Sequence, residues 1–186
     1  MIRKALALLL AACLAAACAT APVTTDSRLA QTNLNGYRLD SGDKLRITVF
    51  GQTDLTGEYN VDGSGRVGLP LIEPVIARGQ TTEEFSKSLE DALREKLLRN
   101  PSVSVEITEY RPFFILGEVN KPGQYAYVNG MTVKTAAAIA GGFTYRASTG
   151  GVTITRRTDG TMLEGKASID APVMPGDTIM VTERIF

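Results

Sequence analysis

Apolar residues occupy alternate positions in Lys44-Leu45-Arg46-Ile47-Thr48-Val49, the period of a strand with one buried face. A turn rich in Gly and Asp, Ser41-Gly42-Asp43, leads into it. Residues 57–62 and 65–69 read as two short strands of a hairpin around Gly63-Ser64, and Pro70 confines the second to an edge or an end. Residues 71–77 read as a further strand closing at Arg78-Gly79-Gln80. The pattern then changes period. Phe85, Leu89, Ala92, Leu93 and Leu97 form one apolar stripe of a helix, and Thr81 with Glu84 makes a capping box at its start. Pro101 disfavours helical geometry in Asn100, which predicts the end of the helix there. Its charged residues read as a solvated face. Residues 103–108 alternate again, with their apolar side toward the helix.

The second half repeats this mixture. Residues 113–119 predict a strand, Lys121-Pro122-Gly123 a turn, and residues 124–128 a strand with Tyr125 and Tyr127 on one side. A short helix over 132–140 stops at Gly141-Gly142. Residues 152–156 and 179–181 complete the strands. Strands mixed with only two short helices predict an α+β fold rather than a doubly wound sheet.

The N-terminus follows a different logic. Arg3 and Lys4 precede an uncharged apolar run from Ala5 to Ala17, the layout of a secretory signal. The run is shorter than the roughly 20 residues that span a bilayer as a helix. Leu14-Ala15-Ala16-Ala17-Cys18 resembles a bacterial lipobox, which predicts cleavage before Cys18 and acylation of its thiol. Cys13 follows a comparable box, but cleavage there leaves too short an apolar region. Residues 1–17 are therefore expected to be a lipoprotein signal peptide, and residues 18–35, rich in Thr, Ser, Asn and Ala, a flexible tether. Ala19 rather than Asp after the Cys points to the outer membrane.

Composition narrows the chemistry. With 44% hydrophobic and 22% charged residues, the chain of 186 residues can bury a core and is neither disordered nor fibrous. Lys+Arg 20 against Asp+Glu 20 gives no basic balance, so nucleic acid is not an expected partner. The sequence has no His, which excludes Ser-His-Asp and Cys-His nucleophiles and His-containing metal sites. Both Cys lie in the signal region, so thiol catalysis and zinc ribbons are excluded from the body of the chain. No cofactor is expected, and the chain does not read as an enzyme. A carboxylate-only glycosidase needs two acids across a cleft, whereas Glu83-Glu84 and Glu90-Asp91 share one helix. A small outer-membrane barrel is disfavoured by that polar helix and by strands shorter than about ten residues.

One turn recurs: Ser41-Gly42-Asp43 and Pro175-Gly176-Asp177 each lead into an alternating strand. Residues 36–111 resemble the polysaccharide-export domain of Wza-type outer-membrane lipoproteins. The resemblance rests on the Gly42-Asp43 turn, Asp62 with Gly65 and Pro70, Gly79 before the capped helix, and Asn100-Pro101 after it. Residues 112–186 resemble the soluble-ligand-binding β-grasp (SLBB) domain that follows in that family, through Gly117, Pro122-Gly123, Gly141-Gly142 and Gly176-Asp177. The family implies a homo-oligomeric periplasmic ring that conducts capsular polysaccharide or exopolysaccharide as cargo. It implies an inner-membrane polysaccharide co-polymerase as partner and lipid anchoring at the periplasmic face of the outer membrane. The Gly, Pro and Asp positions just named are expected to be structural turns, with no catalytic, cofactor or metal site among them. The best-known members carry two β-grasp modules and a C-terminal pore helix, whereas one module is recognisable here. The resemblance thus implies a ring that relies on a separate outer-membrane β-barrel pore. The alternative is a glycan-binding or scaffolding envelope lipoprotein that forms no conduit.

Overall fold

The computed structural model describes residues 26, 29, 36–148, 150–158 and 160–184. The lipobox at Cys18 and the signal at 1–17 lie outside the described residues. Within them two hydrophobic cores form, each under its own sheet.

The first sheet is antiparallel in the order β2-β1-β5, with β1 at Lys44–Val49, β2 at Gly57–Asn60 and β5 at Val103–Glu109. Leu45, Ile47 and Val49 of β1 are buried, as the alternation requires. Helix α1, Thr82–Lys96, covers them with Phe85, Leu89 and Leu93. Its capping box closes in both directions: Glu84 N–H donates to Thr81 Oγ1 at 3.2 Å, and Thr81 N–H to Glu84 Oε2 at 2.9 Å. The helix ends before the expected Asn100. Leu97 is 42% exposed, so another turn buries nothing, while the chain leaving at Leu97 lets Leu98 pack on the core.

The expected hairpin of residues 57–62 and 65–69 does not form as such. The turn is there: Asp62 Oδ1 accepts the N–H groups of Ser64 and Arg66, at 2.8 and 2.9 Å. Its flanks find other partners. β2 pairs with β1, while β3 (Arg66–Val67) pairs with β4 (Val75–Ile76) in a separate ribbon. The strand expected over 71–77 shrinks to β4, because Leu71 takes a left-handed φ of 69° between Pro70 and Pro74.

The second sheet has the order β7-β6-β10-β8-β9, from Phe113–Gly117 (β6), Gly123–Tyr125 (β7), Val152–Thr158 (β8), Thr161–Ala167 (β9) and Thr178–Val181 (β10). β6 and β10 run parallel and the other pairs are antiparallel. Helix α2, Val133–Ile139, buries Val133, Ala136 and Ala137, and Thr132 caps it through Thr135. One helix per sheet and one parallel pair in a mixed sheet make this the expected α+β fold. β9 is an addition to the expected strands, since Met162 exposed and Gly165 in its middle break the alternation that would mark it.

Two residues of the expected tether are described, and both are held. Leu29 is 1% exposed inside the second core, and Asp26 N–H donates to Lys166 O at 2.9 Å. A Leu in a largely polar stretch removes apolar area from water only by entering a core, and Gly165 of β9 leaves it room.

Candidate functional site

Asp43 and Asp177 close the two Gly-Asp turns, and neither is exposed at all. Each carboxylate accepts the N–H of the residue three positions earlier: Asp40 to Asp43 at 2.9 Å, Met174 to Asp177 at 2.8 Å. Each Asp N–H returns to that same residue's carbonyl, at 3.2 and 3.1 Å. The repeated sequence is one reciprocal turn used twice. It stands before β1 at the centre of one sheet and before β10 at the centre of the other.

A buried carboxylate is costly unless it is paired and hydrogen-bonded. Arg156 meets Asp177 as a fork, Nε to Oδ1 at 2.8 Å and Nη2 to Oδ2 at 2.7 Å, the stronger bidentate geometry. Asp43 accepts instead from the main-chain N–H of Arg111 at 2.9 Å and from the Tyr37 hydroxyl, 2.8 Å from both its oxygens. Burial pushes both carboxyls above their ordinary range, against the pull of these donors. Burial and the neighbouring Asp43 charge push the Tyr37 phenol far up, so it stays a donor to Asp43.

Arg111 ties the two turns together. Its Nη1 donates to Tyr37 Oη at 2.8 Å, and its guanidinium lies 5.4 Å from the Tyr37 ring centroid. A β-carbon on Gly176 would sit 2.6 Å from Arg111 Nε, and Gly176 has φ +82°, so the close approach requires glycine. Gly176 N–H donates to Pro112 O, and Phe114 N–H to Asp177 O. Tyr37, Tyr110 and Tyr127 stand edge to face at 5.1 and 5.4 Å, a line of rings from the first core into the second.

Beside this junction lies a cleft of about 570 Å³. The first module lines it with residues 36–40 and with Arg78 and Gly79, the second with the tip of the β8–β9 hairpin and with Met174 and Pro175. Five arginines reach it: Arg38, Arg78, Arg111, Arg156 and Arg157. Asp40 is the acid among the described lining residues. Partial burial works against its charge, but the Ser41 N–H and Arg78 outweigh that and hold Asp40 below the usual carboxylate range. Arg78 donates to Asp40 Oδ1 at 2.7 Å and to Gly63 O at 3.1 Å, while Arg38 pairs with Glu84 at 3.1 Å.

Most of the expected turn residues gather in three places, and of those named only Gly79 is among the described residues lining the cleft. Gly42, Asp43, Gly176 and Asp177 meet around Arg111. Asp62 and Gly65 support Arg78, whose N–H donates to Gly65 O at 2.9 Å. Gly141 and Gly142 end α2 against the loop before Pro122 and Gly123, with Asn120 N–H on Gly142 O and Asn120 Nδ2 on Gly141 O. Pro70 and Pro101 stand in the connections before β4 and β5, and Gly117 ends β6. The arginines escape a reading of the sequence, because they are scattered along a chain of balanced charge. One signal was present: Arg156 follows Val152 and Ile154 on the buried side of β8, and an inward Arg demands a buried acid.

Residues 31–108 match the family profile described as polysaccharide biosynthesis/export protein, and residues 112–164 match that of the SLBB domain. The exopolysaccharide production protein ExoF of Rhizobium meliloti (strain 1021) is 35% identical over 118 residues, covering 57% of this chain and 28% of ExoF. The polysialic acid transport protein KpsD of Escherichia coli is 25% identical over 108 residues, covering 57% of this chain and 19% of KpsD. The chain thus matches less than a third of the length of either relative. The two profiles meet at residues 108–112, where Arg111 joins the turns, and the mixed sheet with α2 is the β-grasp-like half. The chain thus joins a domain of the polysaccharide biosynthesis/export family to an SLBB domain.

Proposed function

We propose that this protein is an envelope component of a capsular polysaccharide or exopolysaccharide export conduit. It forms an oligomeric ring that passes polymer from an inner-membrane co-polymerase to a separate outer-membrane β-barrel pore, and it does no chemistry on the polymer. The observation that carries the reading is the succession of export and SLBB profiles over residues 31–164. The names of ExoF and KpsD, a production and a transport protein, agree with it. Among the described residues no helix is long and apolar enough to cross a membrane. Cys18 is the proposed anchor, with the export domain over 36–111 and the SLBB domain over 112–186.

The test is a deletion strain. Polymer should still be made but accumulate inside the cell, and the wild-type gene should restore secretion. Normal secretion without the gene would overturn the reading. Mass spectrometry of the N-terminal peptide tests the anchor: a triacylated Cys18 is expected, and an unmodified chain beginning elsewhere would refute it. The cleft favours a second reading, a glycan-binding lipoprotein without a conduit. Negative-stain microscopy of the detergent-purified protein separates the two, since the conduit requires closed rings.

A further inference from the structure

We propose that the arginine-lined cleft between the two modules binds an acidic saccharide through carboxylates on its sugar rings. The choice of a saccharide rests on the export reading; the choice of an acidic one rests on the cleft. Its volume of about 570 Å³ falls in the roughly 300–1,000 Å³ range of small-ligand sites. Arginines come from both modules and from the segment joining them, so a ligand there touches both at once.

The arginines divide by what already occupies them. Arg156 is 4% exposed and committed to Asp177, and Arg111 is committed to Tyr37 and Asp43. These two hold the floor in shape. Arg38 and Arg78 are half-exposed, and each keeps donors in reserve: Arg38 uses only Nη1, for Gly79 O and Glu84, and Arg78 uses Nε and Nη2. Arg157 is exposed and has no side-chain hydrogen bond or ion pair among the described residues. A guanidinium presents five N–H donors in a planar fork that matches a carboxylate, so the reserve here is suited to planar anions.

The rest of the lining suits a sugar ring. Met162, 60% exposed, offers apolar surface for its C–H face, backed by the buried Met174 and Pro175, and Thr158 offers a hydroxyl for its polar edge. Near-neutral ligands gain little here, because the reserve donors are hydrated in the free protein and a neutral hydroxyl replaces that water without a charge-assisted bond.

The probe is a galacturonate hexamer titrated into the detergent-purified full-length protein by calorimetry at low salt, with maltohexaose and inorganic phosphate as the other arms. The galacturonate hexamer should bind, Arg157→Glu should weaken it about tenfold or more, and raising salt from about 50 to about 500 mM should weaken it as well. Arg157→Gln should give a smaller loss in the same direction. Because Arg157 is exposed, these variants should unfold at the wild-type temperature. Maltohexaose should bind much more weakly, and phosphate should not displace the hexamer at equal concentration. Equal binding of the neutral hexamer, displacement by phosphate, an unchanged affinity in Arg157→Glu, or no binding of the acidic hexamer would each overturn the proposal. Binding is measured on the purified protein, so a deletion strain that secretes normally would sink the export reading and leave this result standing.

Discussion

Arg111 donates its main-chain N–H to the buried carboxylate of Asp43 at 2.9 Å, across 68 positions of sequence. The same residue's side chain packs over Gly176, so one arginine touches both Gly-Asp turns. Replacing Asp43 by Ala removes the acceptor of the Asp40 and Arg111 N–H groups and of the Tyr37 hydroxyl. The expected loss is about 3 kcal/mol or more, read as a lower urea midpoint. Asp43→Asn keeps one acceptor oxygen and should lose less. A neutral Asp43→Ala would show that these donors find water instead.

The Arg156–Asp177 fork makes a different forecast. Asp177→Ala leaves a buried guanidinium without its carboxylate and should cost about 3–5 kcal/mol, whereas Arg156→Met with Asp177→Leu should cost far less than the two single changes added together. A double-mutant cycle by denaturant unfolding checks the non-additivity.

Gly117 sits at φ +84°, and a β-carbon there would run into the carbonyl oxygen of Val181 on the parallel neighbour β10. Gly51 has φ +75° with open space around it. Gly117→Ala should therefore lose markedly more stability than Gly51→Ala, for which only the backbone strain of about 1 kcal/mol is expected. Equal thermal shifts for the two would refute the close approach.

Leu29 is buried among residues of the second core, far along the sequence from any of them. Leu29→Ala should cost about 2–5 kcal/mol, the usual range for emptying such a site. A tether that is loose throughout would make the same change silent.

Glu84 accepts the Thr81 N–H and pairs with Arg38, and these donors hold its carboxyl below the ordinary range, the Thr81 bond first. A carboxyl lowered by folding stabilises the fold above its unfolded value, about 4.3, and loses that effect as pH falls through the folded value. The stability gap between wild type and Glu84→Ala should thus be flat above about pH 5 and close in more acid solution. Chemical denaturation at several pH values checks it, and a gap that widens with acid would reverse the sign.

What could be read from the sequence is what is settled within a few residues. The capping box at Thr81 forms because a side chain three positions on reaches back to the start of a helix, and Gly141-Gly142 ends α2 by the same short-range logic. The buried alternation of β1 was equally plain, since pleating alone decides which side chains share a face. Strand partnership was not. Residues 57–62 and 65–69 flank a real turn, yet Gly57–Asn60 joined β1 and Arg66–Val67 joined β4, because pairing depends on which edges the finished sheets leave open. The arginine cleft belongs wholly to the tertiary structure. Arg111 meets Tyr37 across 74 positions, Arg38 meets Glu84 across 46, and Arg78 meets Asp40 across 38. Such pairs have no period along the chain, and a balanced composition hides them. Two sheets built from local patterns had first to pack beside Arg111 before scattered guanidiniums could face one space.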